Sequence, residues 1–160
     1  MGWKKSTEKS GELLYNEGMT RLYKPYRLIT HTADLGMDVR GKDLPDLFAQ
    51  AAWSFFDIMV EARLIDSKQE RAIAVKAPDR EALLIAWLGE LLYLFEARHL
   101  VFGKFLIQSL TPNALQASGW GELFAPKKHR LKRVVKAVTY HQLRIWEEKG
   151  VWQARVIFDL

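Results

Sequence analysis

The spacing of apolar residues changes character several times along this chain. Tyr26 to His31 reads as a strand. In Leu35 to Gly41 a second strand places Leu35, Met37 and Val39 on one face and Asp38 and Arg40 on the other. From Asp43 the period lengthens. Leu44, Leu47, Phe48, Ala51, Ala52, Phe55 and Met59 recur at helical spacing. Asp43 is suited to cap this helix, and Pro45 and Asp46 fall in its first turn, where proline is tolerated and negative charge favoured. The helix is expected to end near Val60. Arg71 to Ala77 is again strand-like, with Ile73 and Val75 inward, until Pro78-Asp79 interrupts it. A second helix follows. Leu84, Trp87, Leu88, Leu91, Leu92 and Phe95 form a stripe that Leu83, Ile85 and Leu94 widen, which makes this helix central to the core.

The remainder is rich in β pattern. Val101 to Leu110 alternates, and Leu115 to Phe124 can pair with it across Thr111-Pro112-Asn113. Val134 to Trp146 and Val151 to Phe158 form a predicted hairpin around Lys149-Gly150. The order of elements indicates an α+β domain, a two-layer sandwich with helices packed on a mainly antiparallel sheet. It is expected over residues 26–160. Residues 1–25 are dominated by glycine, serine, lysine and glutamate and read as a flexible N-terminal extension.

Composition narrows the chemistry. Apolar residues make up 49% of the 160, enough for one domain with a real core. There is no cysteine, which removes disulfides, thiolate metal sites and a cysteine nucleophile, and fits a reducing, cytoplasmic setting. No apolar run is long enough to span a bilayer. The net charge of +5 is concentrated: residues 127–136 hold six basic residues and no acid, so the body without its tail and this run is mildly acidic. No phosphate-cradling glycine loop, zinc-protease helix or nucleophile elbow is present, which argues against an enzyme.

The candidate chemistry lies at the two ends of the compact part. Asp34 and Gly36 are placed around the turn between the first two strands, and Asp159 lies one residue before Leu160. A fold that joined these ends would gather carboxylates suited to a hard divalent ion. His31, three residues before Asp34, is a candidate donor to it. In Lys136 to His141, strict alternation puts Ala137, Thr139, His141, Leu143 and Ile145 on one face, making His141 a core-edge residue, and Lys136 and Tyr140 on the other. Trp3, Trp120 and Trp146 are candidate stacking platforms. Gly119-Trp120-Gly121 is turn-like.

Several of these blocks together resemble the archease family: His31-Thr32-Ala33-Asp34-Leu35-Gly36, Phe56-Asp57-Ile58-Met59-Val60, Trp87 to Phe95, Leu100-Val101-Phe102, Lys136 to His141, and Val156-Ile157-Phe158-Asp159-Leu160. They run in order from about Tyr26 to the last residue. The resemblance implies a protein cofactor, without catalytic residues of its own, of the GTP-dependent tRNA-splicing ligase that seals 3′-phosphate and 5′-hydroxyl RNA ends. It implies help with ligase guanylylation and repeated turnover, with RNA met through the ligase. It also implies a divalent ion, Ca2+ first and Mn2+ or Mg2+ next, held by Asp34, Asp159 and a main-chain or terminal oxygen of Leu160. Lys136, Tyr140 and His141 are the candidate partner surface. A reading of a different class remains open: an RNA-binding module or tRNA chaperone that uses Lys127 to Lys136, which salt dependence would separate from an activator.

Overall fold

The computed structural model describes residues 24–30 and 33–160. Two short strands, β1 (Tyr26–Thr30) and β2 (Asp34–Gly41), lead into α1 (Leu44–Met59), a single 3-10 turn (Ala62–Leu64) and β3 (Gln69–Lys76). Then come α2 (Arg80–Arg98), β4 (Leu100–Leu110), β5 (Ala114–Leu123), β6 (Ala137–Glu148) and β7 (Val151–Asp159). Residues 1–23 of the N-terminal extension, with Trp3, and His31 lie outside the described residues.

The helices begin where their caps dictate. The Asp43 carboxylate accepts the Asp46 N–H at 2.8 Å, and Asp79 does the same for Ala82 at 2.8 Å. At the end of α2, His99 takes the left-handed conformation (φ 57°) that closes the helix. The hairpin joining β6 and β7 turns on Lys149 (φ 53°) and Gly150 (φ 79°), two successive left-handed residues as a tight two-residue turn demands.

The expected α+β class is what forms, with the helices packed on antiparallel strands. The strands divide between two sheets, ordered β1-β2-β7-β6 and β3-β5-β4. Both helices touch both sheets: α1 packs on β2 and β4, and α2 on β6 and β3. This explains why every residue from Ala51 to Val60 is buried, well beyond the width of one amphipathic stripe. Trp87 of α2 is fully enclosed and donates its indole N–H to the Phe48 carbonyl of α1 at 2.9 Å. Phe56, Phe102 and Phe105 extend the core toward β4.

Gly119-Trp120-Gly121 is no turn. It is the middle of β5. A Cβ on Gly119 would lie 2.9 Å from the Phe102 ring, and one on Gly121 would lie 1.8 Å from the Val101 carbonyl oxygen. The two glycines therefore permit β4 and β5 to approach closely, and their Cα positions set Trp120 on the opposite face.

Candidate functional site

The central event of the topology is the meeting of the two ends of the domain. β2 and β7 are antiparallel neighbours, and their register makes Asp34 the direct partner of Asp159. Asp34 is thus the first residue of β2 rather than part of a turn. The inward alternation of Leu35, Met37 and Val39, all at most 1% exposed, forces Asp34 and Asp38 to the face away from the helices. On β7 the same rule buries Val156 and Phe158 and sends Arg155 and Asp159 to that outer face. Directly opposed side chains have Cβ atoms about 5 Å apart, and like charges so placed repel. Among the described residues, neither carboxylate has an ion pair or a side-chain hydrogen bond. Leu160 follows at the same corner and is exposed.

β6 reaches this corner as well. The Lys136 N–H donates to the Asp159 carbonyl at 2.8 Å, and Ala137 is paired with Asp159. Beyond that point the strict alternation expected for β6 fails. Thr139 pairs with Ile157, but the next pair is Arg144 with Arg155, so β6 carries several more residues than β7 between the same rungs. Gln142 absorbs the excess with φ 52°. The Thr139 hydroxyl ties the base of the bulge to the Ile157 carbonyl at 2.9 Å. His141 is therefore exposed and not a core-edge residue, and Tyr140 beside it is 66% exposed. Tyr140 and His141 lie on this edge strand and Lys136 just before it, next to the Asp34–Asp159 corner.

The basic run is more deeply engaged than a solvated loop. It starts where the Phe124 N–H donates to the His99 carbonyl, just past α2. It then crosses the end of α1, where the N–H groups of Lys132 and Arg133 donate to the Met59 carbonyl at 2.7 and 3.4 Å. Positive charge over the C-terminus of α1 complements its dipole. His129, placed in the loop by sequence, is completely buried. Its Nδ1 accepts the Ala125 N–H at 2.8 Å, so its Nε2 carries the proton given to Glu122 Oε2 at 2.8 Å. Glu122 also holds the Lys128 ammonium and accepts the Asp66 N–H. Burial opposes its ionisation, but the bonds from Lys128, Asp66 and His129 prevail and hold the carboxyl down at about 2.

A second anchor lies at the end of α1. Buried Asp57 accepts the Tyr26 hydroxyl at 2.7 Å and the Ala62 N–H at 3.1 Å, and pairs with Lys24 at 3.0 Å. Burial, then the bond to Asp57, raises the Tyr26 pKa strongly. Neither the Asp57 nor the Glu122 cluster was foreseen. Each joins residues far apart in sequence, and only the acid's place in a helix or strand was visible beforehand.

Among the described residues, no group of three or more His, Cys, Asp or Glu side chains could hold a metal ion. The donors brought together at the corner are the two aspartates and the main chain of Leu160. These are hard oxygen donors, of the kind that suits calcium or magnesium, with water completing the shell. No helix among the described residues is long and apolar enough to cross a membrane.

The class defined by the fold and the site is a small α+β domain in which β2 and β7 set two aspartates face to face. The comparisons place it in a family. The Archease protein family (MTH1598/TM1083) matches residues 26–160, and the chain belongs to that family. It is 34% identical over 141 residues to the archease of Methanosarcina mazei, covering 86% of this chain and 97% of that one. It is 39% identical over 134 residues to the archease of Pyrococcus furiosus, covering 81% and 94%. The solution structure of Methanobacterium thermoautotrophicum protein 1598 superposes with a TM-score of 0.71 at 33% identity, over 86% of this chain and all of that one. A Thermotoga maritima crystal structure, described as an archease and possible chaperone, shares the fold with a TM-score of 0.56 at 20% identity, over 84% and 96%.

Proposed function

We propose that this archease is a non-enzymatic activator of the GTP-dependent RNA ligase that joins 3′-phosphate and 5′-hydroxyl ends, and that it acts through the Asp34–Asp159 corner. The observation that carries the reading is the direct cross-strand register of the two aspartates, reached by pairing the second strand with the last. Facing carboxylates without a basic partner raise the free energy of the corner, and a cation lowers it. Asp34, Asp159 and a main-chain or terminal oxygen of Leu160 would hold a divalent ion, with calcium as the first choice. When bound, the ion supplies positive charge and a bridge between the outer ends of β2 and β7. The chain's own residues present the corner: Lys136 anchors β6 to Asp159, and the bulge exposes Tyr140 and His141 beside it for contact with the ligase.

The alternative of a loop-based RNA module receives less support. The basic run is fastened to Met59 and Asp159 through its backbone, and Lys128 is occupied by Asp66 and Glu122.

The test is ligase turnover with RNA in excess over enzyme, with and without this protein. Wild-type protein should convert a single round of sealing into many. Asp34→Ala and Asp159→Ala should lose that effect while remaining folded, and should lose calcium binding by calorimetry. Either variant restoring full turnover refutes the reading.

A further inference from the structure

The face of the β3-β5-β4 sheet turned away from the helices is partly open to solvent: Trp120 is half-buried there, and Ser118 and Glu122 beside it on β5 are buried. Ala72, Ala74, Lys104, Leu106 and Gln116 are exposed along it. Trp120 stands on the middle strand, between two glycines that face inward. Lys104 is its cross-strand partner, and the Lys104 ammonium lies 5.0 Å from the indole centroid. On the other side the cross-strand partner of Trp120 is Glu70 of β3, and the side chains beyond are small: Ala72 and Ala74 on β3, and Ser118 on β5. The acids nearby have partners, a neutral hydroxyl for Glu70 and cationic and histidine donors for Glu122. Glu70 accepts the Ser118 hydroxyl at 3.0 Å, and Glu122 is held by Lys128 and His129. The basic loop leaves from the end of β5 on this side. Its exposed Lys127 and Arg130 have no ion-pair partner among the described residues.

We propose that this face binds single-stranded RNA, with one base stacked on Trp120 and the backbone phosphates met by Lys104, Lys127 and Arg130. An aromatic ring on the middle strand of a sheet whose helices all lie behind it offers a platform for an unpaired base. The flanking cations supply the complementary charge. Lys104 covers the ring in the free protein and is positioned to exchange it for a phosphate when a base arrives. Duplex RNA keeps its bases stacked and cannot use the indole. An acidic protein segment would use the cations and leave the indole idle. That the RNA in question carries the ends sealed by the ligase rests on the activator reading. The binding itself does not.

Anisotropy of a fluorescein-labelled single strand of about ten nucleotides, titrated with the full chain at several salt concentrations, tests this. Trp120→Ala should weaken binding about tenfold, Trp120→Phe should keep most of it, and Trp146→Ala should change nothing. Lys104→Glu should also weaken binding. Removing Lys127 and Arg130 together should flatten the plot of log affinity against log salt by roughly 1.4, at about 0.7 per phosphate contact. Unchanged circular dichroism certifies each fold. No measurable binding, equal binding of duplex, or full affinity in a folded Trp120→Ala protein overturns the proposal. So does a Trp120→Ala protein that loses ligase stimulation while keeping its RNA affinity, since the face is then a protein contact. Asp34→Ala and Asp159→Ala should bind RNA as wild type does, so failure at the corner and failure on this face are read separately.

Discussion

Four rungs apart on the same two strands and the same outer face, β2 and β7 oppose Asp38 with Arg155 and Asp34 with Asp159. The first pair is complete. Arg155 donates through Nε and an Nη to the two Asp38 oxygens at 2.7 and 2.8 Å, a bidentate clasp on a nearly buried carboxylate. The bond to Asp38 raises the Arg155 pKa. The second pair is two acids with no base between them among the described residues. Backbone geometry is common to both, so the difference lies wholly in residue choice. Where the chain needed only stability it placed an arginine opposite an aspartate. At the corner it placed a second aspartate, which local stability alone disfavours, and such departures from local consistency cluster at functional sites.

The largest effect should follow from breaking the completed pair. Asp38→Ala strands the Arg155 guanidinium on a half-covered face and should cost about 2–3 kcal/mol, less than a fully buried pair because Arg155 keeps some contact with water. Urea denaturation measures it. A loss as small at Asp38 as at Asp34 would erase the contrast between the rungs.

Glu122 extends the comparison to the other sheet, as a third acid fully supplied with donors. Glu122→Ala should cost about 2 kcal/mol by leaving the buried His129 Nε2–H without an acceptor and releasing the loop. The sign with pH follows from its depressed carboxyl. The stabilisation is complete above the ordinary value near 4.5 and is lost as pH falls from there toward about 2. Acid titration of unfolding free energy should show that loss in wild type and a shallower one in the variant.

Much of this was legible from sequence, and for definite reasons. Both helix starts were readable because Asp43 and Asp79 are short acceptors placed just ahead of apolar periodicity, and the N–H groups three residues on use them. The outer placement of Asp38 followed from the two-residue period of β2. The meeting of Asp34 and Asp159 was not contained in periodicity, which is silent on which strands become neighbours; it came through the family resemblance. The exposure of His141 was missed because a bulge cancels alternation, and nothing local in Thr139 to Arg144 announced one. The burial of His129 was not legible because its partner Glu122 lies on β5 and the contact is seen only in space.

Converting the corner into the other kind of pair gives a sharper and smaller test. Asp159→Arg places a cation opposite Asp34, reproducing the Asp38–Arg155 pattern. It should raise stability by about 0.5–1 kcal/mol, the range of opposed charge pairs on strands, while abolishing calcium binding and ligase stimulation. A more stable protein that had lost its activity would show that the two rungs are interchangeable for folding and opposed in purpose.

The smallest effect is the most discriminating. Asp34→Asn keeps shape and hydrogen-bonding capacity and removes one charge. Without metal, relief of the cross-strand repulsion should stabilise the protein by a few tenths of a kcal/mol, about 0.2–0.5. With calcium present the order should reverse. The wild-type corner should bind the ion only when folded and should gain stability as the ion concentration passes its dissociation constant, by about 2.7 kcal/mol at a hundredfold excess. The variant, with one carboxylate fewer, should gain little. Thermal melts of both proteins across a calcium series would therefore cross, with the variant ahead at low calcium and the wild type ahead at high calcium. Parallel curves would mean that the two aspartates repel without a purpose. A crossing would mean that the repulsion between β2 and β7 is held in place for a cation.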